Sequence, residues 1–470
     1  MSVLIVGGGL STGLSADTNL ESTPSAETNG QQRLEELDTE YDTRYVDQLT
    51  LPRVVAPLAS SVSLEATAPA GRNTQDNINP PRGANVQANT GFFPSLTISA
   101  NRRSNPARVA GGEDDTDNSV RFGLDLRYRG LVNDRHIYEL NASALSESFD
   151  TFTSLDSDNN QIGAAITLDM SEKLKTDLYA SYADLEDIRG ITATRDLDID
   201  EPNDKFTDKT VGGRITLGRR TNPIQILLGV NHSDIDFTNN DQGQRDRVDG
   251  RIFAGLYLNL SPKTSFFLKG AQTDVDYKEN ISGEFDSDNN EIVFGVGWEP
   301  SFSTSVLLQA GSIEKSFKDS NFEDQDGDSY LGKFTWLPSR FTSLNLYMSQ
   351  TFEESINLNS PVIESALSGI NLTHSFTEAF RGQLYLNYIE DNLVNVRQDE
   401  IADYGVGVFY DIKRWLRLGA TWARTERNST DPIEDYDSDL FSLTLTLKPK
   451  INNTFGDYNI HTREDLRGIE

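Results

Sequence analysis

From about Phe92 to Lys450 the chain alternates apolar and polar residues in runs long enough to be strands. Arg121-Phe-Gly-Leu-Asp-Leu-Arg-Tyr-Arg129 shows the pattern. Phe122, Leu124, Leu126 and Tyr128 fall on one face, and Arg121, Asp125, Arg127 and Arg129 on the other. Side chains of a strand alternate between its two faces, so the segment has one oily wall and one wet wall. The oily wall continues in Leu96/Ile98/Ala100, Ile162/Ala164/Ile166/Leu168, Ile224/Ile226/Leu228/Val230, Ile252/Ala254/Leu256/Leu258, Leu344/Leu346/Met348, Leu416/Leu418/Ala420/Trp422 and Phe441/Leu443/Leu445/Leu447. Closed into a ring, such strands put lipid outside and water inside.

About 18 such runs lie between residues 92 and 448. They include pairs near 341–352 and 364–374 and near 380–391 and 402–412. Short turns (Asn133-Asp134, Ser171-Glu172, Thr221-Asn222, Ser261-Pro262, Ser301-Phe302, Ser339-Arg340, Thr377-Glu378, Lys413-Arg414) alternate strictly with long polar loops such as 185–208, 278–290 and 317–327. An even strand count with that rhythm predicts an all-β, transmembrane, antiparallel up-and-down β-barrel. A β-sandwich has no need of the strict alternation, and no blade-length repeat points to a propeller. Aromatics near strand ends, among them Tyr128, Trp298, Trp336, Tyr388 and Trp422, suit interfacial girdles.

The wet wall carries the candidate functional residues. Arg121, Asp125, Arg127, Arg129, Arg214, Arg251, Lys269, Arg381 and Arg417 are the predicted lumen-lining set, with Glu139, Asp177, Lys333, Gln383 and Asn387 on the same face. Gly123, Gly163, Gly295 and Gly407 are interleaved among them. Charges at bilayer depth are expensive against lipid, so these side chains must look into a wet or internally paired interior. They either select solutes by charge or brace the barrel as an Arg–carboxylate network, and for any one residue bracing is the simpler account.

Bulk composition on its own points elsewhere. A mean hydropathy of −0.50 and the lack of any run of about 20 apolar residues rule out spanning helices. Barrel strands escape that test, because half of each one faces water. A net charge of −31 argues against nucleic acid, and the absence of Cys excludes disulfides and thiolate chemistry. Four dispersed His residues lack metal-ligand spacing, and no nucleophile motif is present, so neither a cofactor nor an enzymatic activity is expected. Asp324-Gln-Asp326-Gly-Asp328 starts like a calcium loop, but Ser329 and Thr335 stand where Gly and Glu are required.

Outside the strand region, residues 1–16 contain a short apolar stretch without a preceding basic residue, as in a signal segment truncated at its start. Residues 17–90 are rich in Ser, Thr, Asn, Ala, Pro and Gly and are expected to form a mostly disordered arm or linker. Residues 91–450 form the barrel and 451–470 a polar tail.

At Phe92-Phe-Pro-Ser-Leu-Thr-Ile-Ser-Ala100 the chain resembles the opening strand of the putative beta-barrel porin type 2 family, and the likeness extends through the hairpins to about 450. It departs from that family at Asn101-Arg-Arg-Ser-Asn105, where an acidic segment is common, and in ending on a polar tail rather than an aromatic residue. The resemblance implies an outer-membrane conduit for a secreted exopolysaccharide, passive and dependent on periplasmic and inner-membrane export components. It also implies contact with outer-membrane lipid and lipopolysaccharide. Short turns on the periplasmic side and long loops outside, with an even strand count, place both barrel ends in the periplasm. A diffusion porin for small solutes and a plugged receptor or structural barrel are the alternatives.

Overall fold

The computed structural model describes residues 91–449, apart from 113–114, 133–135, 172, 188–201, 219–221, 262, 280–284, 302, 340, 358 and 414. The segments 1–16, 17–90 and 451–470 therefore lie outside the described residues, as do several of the turn residues named above and the acidic run Asp196–Glu201.

Eighteen antiparallel strands follow one another in chain order: β1 Gly91–Ser104, β2 Thr116–Val132, β3 His136–Phe149, β4 Ser157–Ser171, β5 Leu174–Glu186, β6 Lys205–Leu217, β7 Ile224–Phe237, β8 Arg247–Ser261, β9 Thr264–Tyr277, β10 Ser287–Ser301, β11 Thr304–Phe317, β12 Gln325–Ser339, β13 Thr342–Asn357, β14 Ser360–Ser375, β15 Phe380–Leu393, β16 Arg397–Lys413, β17 Leu416–Ser429 and β18 Tyr436–Leu447. Each pairs with the next, and β1 closes the ring on β18 over Leu96↔Leu447 to Arg103↔Leu440. A spanning strand needs about 9–11 residues, so even the shortest of these, β18 with 12, crosses a bilayer core.

The seam shows how one register sorts both walls. Ile98 faces Leu445 and Ala100 faces Leu443 on the outside, where Ile98 and Leu443 are exposed. On the inside Ser99 donates to or accepts from Thr444 at 3.0 Å, and both are buried. The same parity holds around the ring. Leu140, Ile162, Ile226, Leu256, Ile292, Leu308 and Phe441 stand exposed on the outer face, while their strand neighbours point inward. Tyr128, Trp298, Trp336, Tyr410 and Trp415 edge this band near the short-turn end. Toward the other end the outer face turns polar, with Lys278 bonded to Asp234 and Asp236 and Lys318 to Asp276.

Two expectations need correcting. The stretches 353–363 and 392–401 are largely strand rather than loop, because β13–β14 and β15–β16 run on to tight connections at 358–359 and 394–396. The short–long alternation is therefore broken at these two hairpins. Their upper ends carry polar residues on both faces, as Glu353-Glu-Ser355 and Arg397-Gln-Asp-Glu400 do, so no apolar period marks them as strands.

The inner wall is also more closely fitted than alternation alone requires. Phe253 lies directly opposite Gly229, and Phe267 opposite Gly295. A Cβ added at Gly229 would stand 1.9 Å from the Phe253 ring, and one at Gly295 2.1 Å from that of Phe267. Only glycine lets each ring lie flat across the neighbouring strand. Tyr347 with Gly369 and Tyr385 with Gly405 repeat the arrangement.

Leu256, outward on β8, tests the sidedness. Leu256→Arg is expected to destabilise the barrel by about 2–4 kcal/mol in lipid vesicles, read from denaturant unfolding. A cost near zero would show that this face meets water.

Candidate functional site

The candidate site is the inner wall, and all nine residues predicted to line it lie on that face. Strand pairing decides what each does. Arg121 stands opposite Glu147, Arg129 opposite Glu139, Arg214 opposite Asp177 and Arg417 opposite Asp411. Each rung is a formed ion pair. Arg121 Nε donates to Glu147 at 3.0 Å, Arg129 Nε to Glu139 at 3.1 Å, Arg214 Nη2 to Asp177 at 2.7 Å and Arg417 Nε to Asp411 at 2.6 Å. Arg251 reaches one strand further, past its rung partner Thr273 on β9, to Glu291 on β10 at 3.0 Å. Opposite charges placed directly across a ladder hold two strands together and keep both desolvated groups matched.

The remaining cations rest on aromatic faces. Arg127 lies over its rung partner Phe93 at 5.2 Å, and Arg381 over its rung partner Phe409 at 5.7 Å. Lys269 is buried with its Nζ 4.4 Å from the Phe267 ring. Such contacts stabilise a partly desolvated cation. Asp125 stands opposite Ser95 and Ser143 and faces Lys448 electrostatically. The predicted set thus lines one wall but forms no single cluster; it is distributed as braces over both halves of the ring.

Glu147 shows how closely these braces are satisfied. Its Oε1 accepts from Ser119 at 2.5 Å and from Asn101 at 3.2 Å, while Oε2 takes Arg121. Apolar patches lie between the braces: Leu227, Phe253, Tyr257, Phe267 and Leu307 along β7–β11, and Tyr385, Phe409 and Ala423 along β15–β17.

The group that sequence reasoning missed is at the long-loop end. Pairing of β12 with β13 stops at Tyr330↔Gln350, and above it the β13–β14 hairpin leaves the wall. Its Glu354 accepts a hydrogen bond from Tyr277 of β9 at 3.0 Å and another from Lys315 of β11 at 2.5 Å. Arg247 of β8 is also within its electrostatic reach. Neighbouring strands stand about 4.8 Å apart, so a residue of β13 meets β9, four strands away, only where its hairpin folds inward over that side of the barrel. The β1–β2 loop bends inward too. Ala107 packs against Phe149 and Leu155, and Arg108 acts on Asp403 of β16 and Tyr436 of β18. Glu354 was hidden because its segment has no apolar alternation, and nothing local in sequence marks Tyr277, Lys315 and Arg247 as its neighbours.

At the short-turn end Lys448, just past β18, is half-buried. That burial, then the guanidiniums of Arg417 and Arg381, push its ammonium down to about 8 against the pull of Asp411 and Asp125.

The profile of the Putative beta-barrel porin 2 family matches residues 90–449. The chain belongs to that family. Its porin-like barrel is the fold of an outer-membrane protein. No curated protein matches the chain. Among solved structures it is similar to OccK2 of Pseudomonas aeruginosa, at 10% identity and a TM-score of 0.43, over 76% of this chain and 98% of that one. OpdK of the same organism with vanillate has 10% identity and a TM-score of 0.44, over 76% and 99%. A BenF-like porin from Pseudomonas fluorescens Pf-5 has 10% identity and a TM-score of 0.42, over 76% and 99%.

Two outcomes follow for the porin's wall. Glu147→Ala leaves Arg121, Ser119 and Asn101 without their acceptor and is expected to cost about 3–5 kcal/mol in denaturant unfolding. A loss under about 1 kcal/mol would mean that the rung does not brace the strands. For Lys448 the folded state releases its proton near pH 8 and the unfolded state near 10.5. Between those values the unfolded chain binds more protons, so stability rises with pH. Comparing wild type with Lys448→Met across that window isolates the contribution, and identical slopes would refute it.

Proposed function

We propose that this porin is a passive diffusion channel for small hydrophilic solutes, with its short turns and both ends of its strand region in the periplasm. The outward apolar band meets outer-membrane lipid, and the polar rim above it meets lipopolysaccharide. The observation that carries the reading is the β13–β14 hairpin, folded in against β9 and β11 at the long-loop mouth by Glu354. A wall of paired charges suits small polar molecules, which exchange water for side-chain hydrogen bonds as they pass. Long loops at the outer end and tight turns at the inner end are the usual arrangement of such barrels.

Export of a secreted exopolysaccharide, the expectation from family resemblance, asks more of the lumen. A threading polymer needs a bore clear along its whole length, and a hairpin fixed by the Lys315–Glu354 ion pair and the Tyr277 hydrogen bond opposes that. The polymer reading also requires periplasmic and inner-membrane partners.

The full chain in planar lipid bilayers is expected to show steady, ohmic single-channel conductance in KCl. Liposomes containing it should swell quickly in arabinose and progressively more slowly in larger sugars. A barrel that conducts nothing, or that passes dextran as readily as arabinose, would overturn the reading. In cells, loss of secreted polysaccharide on clean deletion, restored by complementation, would favour export instead.

A further inference from the structure

The carboxylate of Glu354 sits in a site built by other strands. Tyr277 Oη donates to its Oε2 at 3.0 Å and Lys315 Nζ to its Oε1 at 2.5 Å. Lys315 is fully buried and Tyr277 nearly so. Arg247 lies in the same group, paired with Asp249 at 3.3 Å, and both act electrostatically on Glu354. The titratable groups are thus Arg247 and Lys315 against Asp249 and Glu354, with Tyr277 as a neutral donor. The two cations and two carboxylates balance. If the hairpin swings out and takes Glu354 with it, one buried positive charge is left uncompensated, beside donors arranged for a carboxylate. An uncompensated buried charge is costly, and a charge-assisted bond to an incoming anion relieves it.

We infer that Tyr277 and Lys315 form a carboxylate-binding subsite in the lumen, with Arg247 nearby, and that Glu354 occupies it as a tethered stand-in for the carboxylate of a passing solute. The ligand class is a small organic acid such as a sugar acid. Glu354 is covalently attached through its hairpin, so it competes at high effective concentration and keeps the affinity for a free carboxylate low. Solute binding and hairpin release are then two views of one exchange, in which a free carboxylate replaces the tethered one on the same donors.

The inference rests on the channel reading, and the experiment separates the two. Single-channel currents of the full-length protein in KCl are recorded while gluconate is added on the long-loop side, with sorbitol as the uncharged control. Wild type is expected to be blocked weakly by gluconate. Glu354→Gln, nearly isosteric and lacking the competing charge, should be blocked at a concentration about tenfold lower. Adding Lys315→Met to that variant should abolish the gain, and sorbitol should block none of the three. A Glu354→Gln channel that conducts but is no more sensitive to gluconate than wild type overturns the inference, as does a gain that survives Lys315→Met. Should Glu354→Gln fail to assemble, Glu354→Asp decides. Its shorter carboxylate competes less well, so tighter gluconate block than wild type supports the subsite, and equal or weaker block overturns it. A wild-type protein that conducts nothing removes the channel reading itself.

Discussion

Lipid offers no hydrogen-bond partner to a backbone amide or carbonyl, and the architecture of this porin answers that constraint first. Eighteen strands satisfy it only as a closed ring, so the β1–β18 seam is as necessary as any other ladder in the wall. Closure also removes every free strand edge. Once the ring exists, the alternation of side chains leaves each residue only two destinations, lipid or lumen. A shift of one residue in any ladder would send a row such as Arg121, Arg127 and Arg129 into lipid and Phe122, Leu124 and Tyr128 into water. Sequence alternation and ring closure therefore specify each other.

The lumenal wall shows how a barrel keeps ionised groups inside a membrane. The arginines are not spread as a field of free charge. Arg121, Arg129, Arg214 and Arg417 stand across a ladder from a carboxylate, Arg251 reaches one two strands away, and Arg127 and Arg381 lie on an aromatic ring. Arg129 with Glu139 and Arg214 with Asp177 each join two strands on the face turned away from lipid. The same polar residues that keep the interior wet thus act as cross-links in the wall. Where the pairing skips several strands instead of joining one rung, as at Glu354, its effect changes from fastening strands to positioning a hairpin.

Much of this was legible from sequence, for a physical reason. Barrel strands carry a period of two along each segment, and Arg121–Arg129 displays it without any knowledge of neighbours. The strand count, the tight turns at one end and the inward direction of all nine lining residues follow from that local signal. What pairs with what does not. Glu147 and Asp411 gain their roles only when register sets them opposite Arg121 and Arg417. The choice between selecting solutes and bracing the barrel could not be made before those rungs were known. Glu354 was harder still: its hairpin has left the lipid zone, so the pattern that announces strands has faded where the chain turns inward.

The pairing of inward aromatic rings with glycines has a consequence for how such a lumen can vary. Phe253 over Gly229 and Phe267 over Gly295 each fold a large side chain against the wall, occupying the neighbour's empty place instead of the bore. The width at that height is set by a pair, and neither partner can change alone: a larger residue at the glycine forces the ring toward the axis, and loss of the ring uncovers bare backbone. Neither partner contributes a side chain to the lipid face. Calibre and membrane fit are thereby uncoupled, so the same outer cylinder can house passages of different gauge through coordinated exchanges at a few opposed positions.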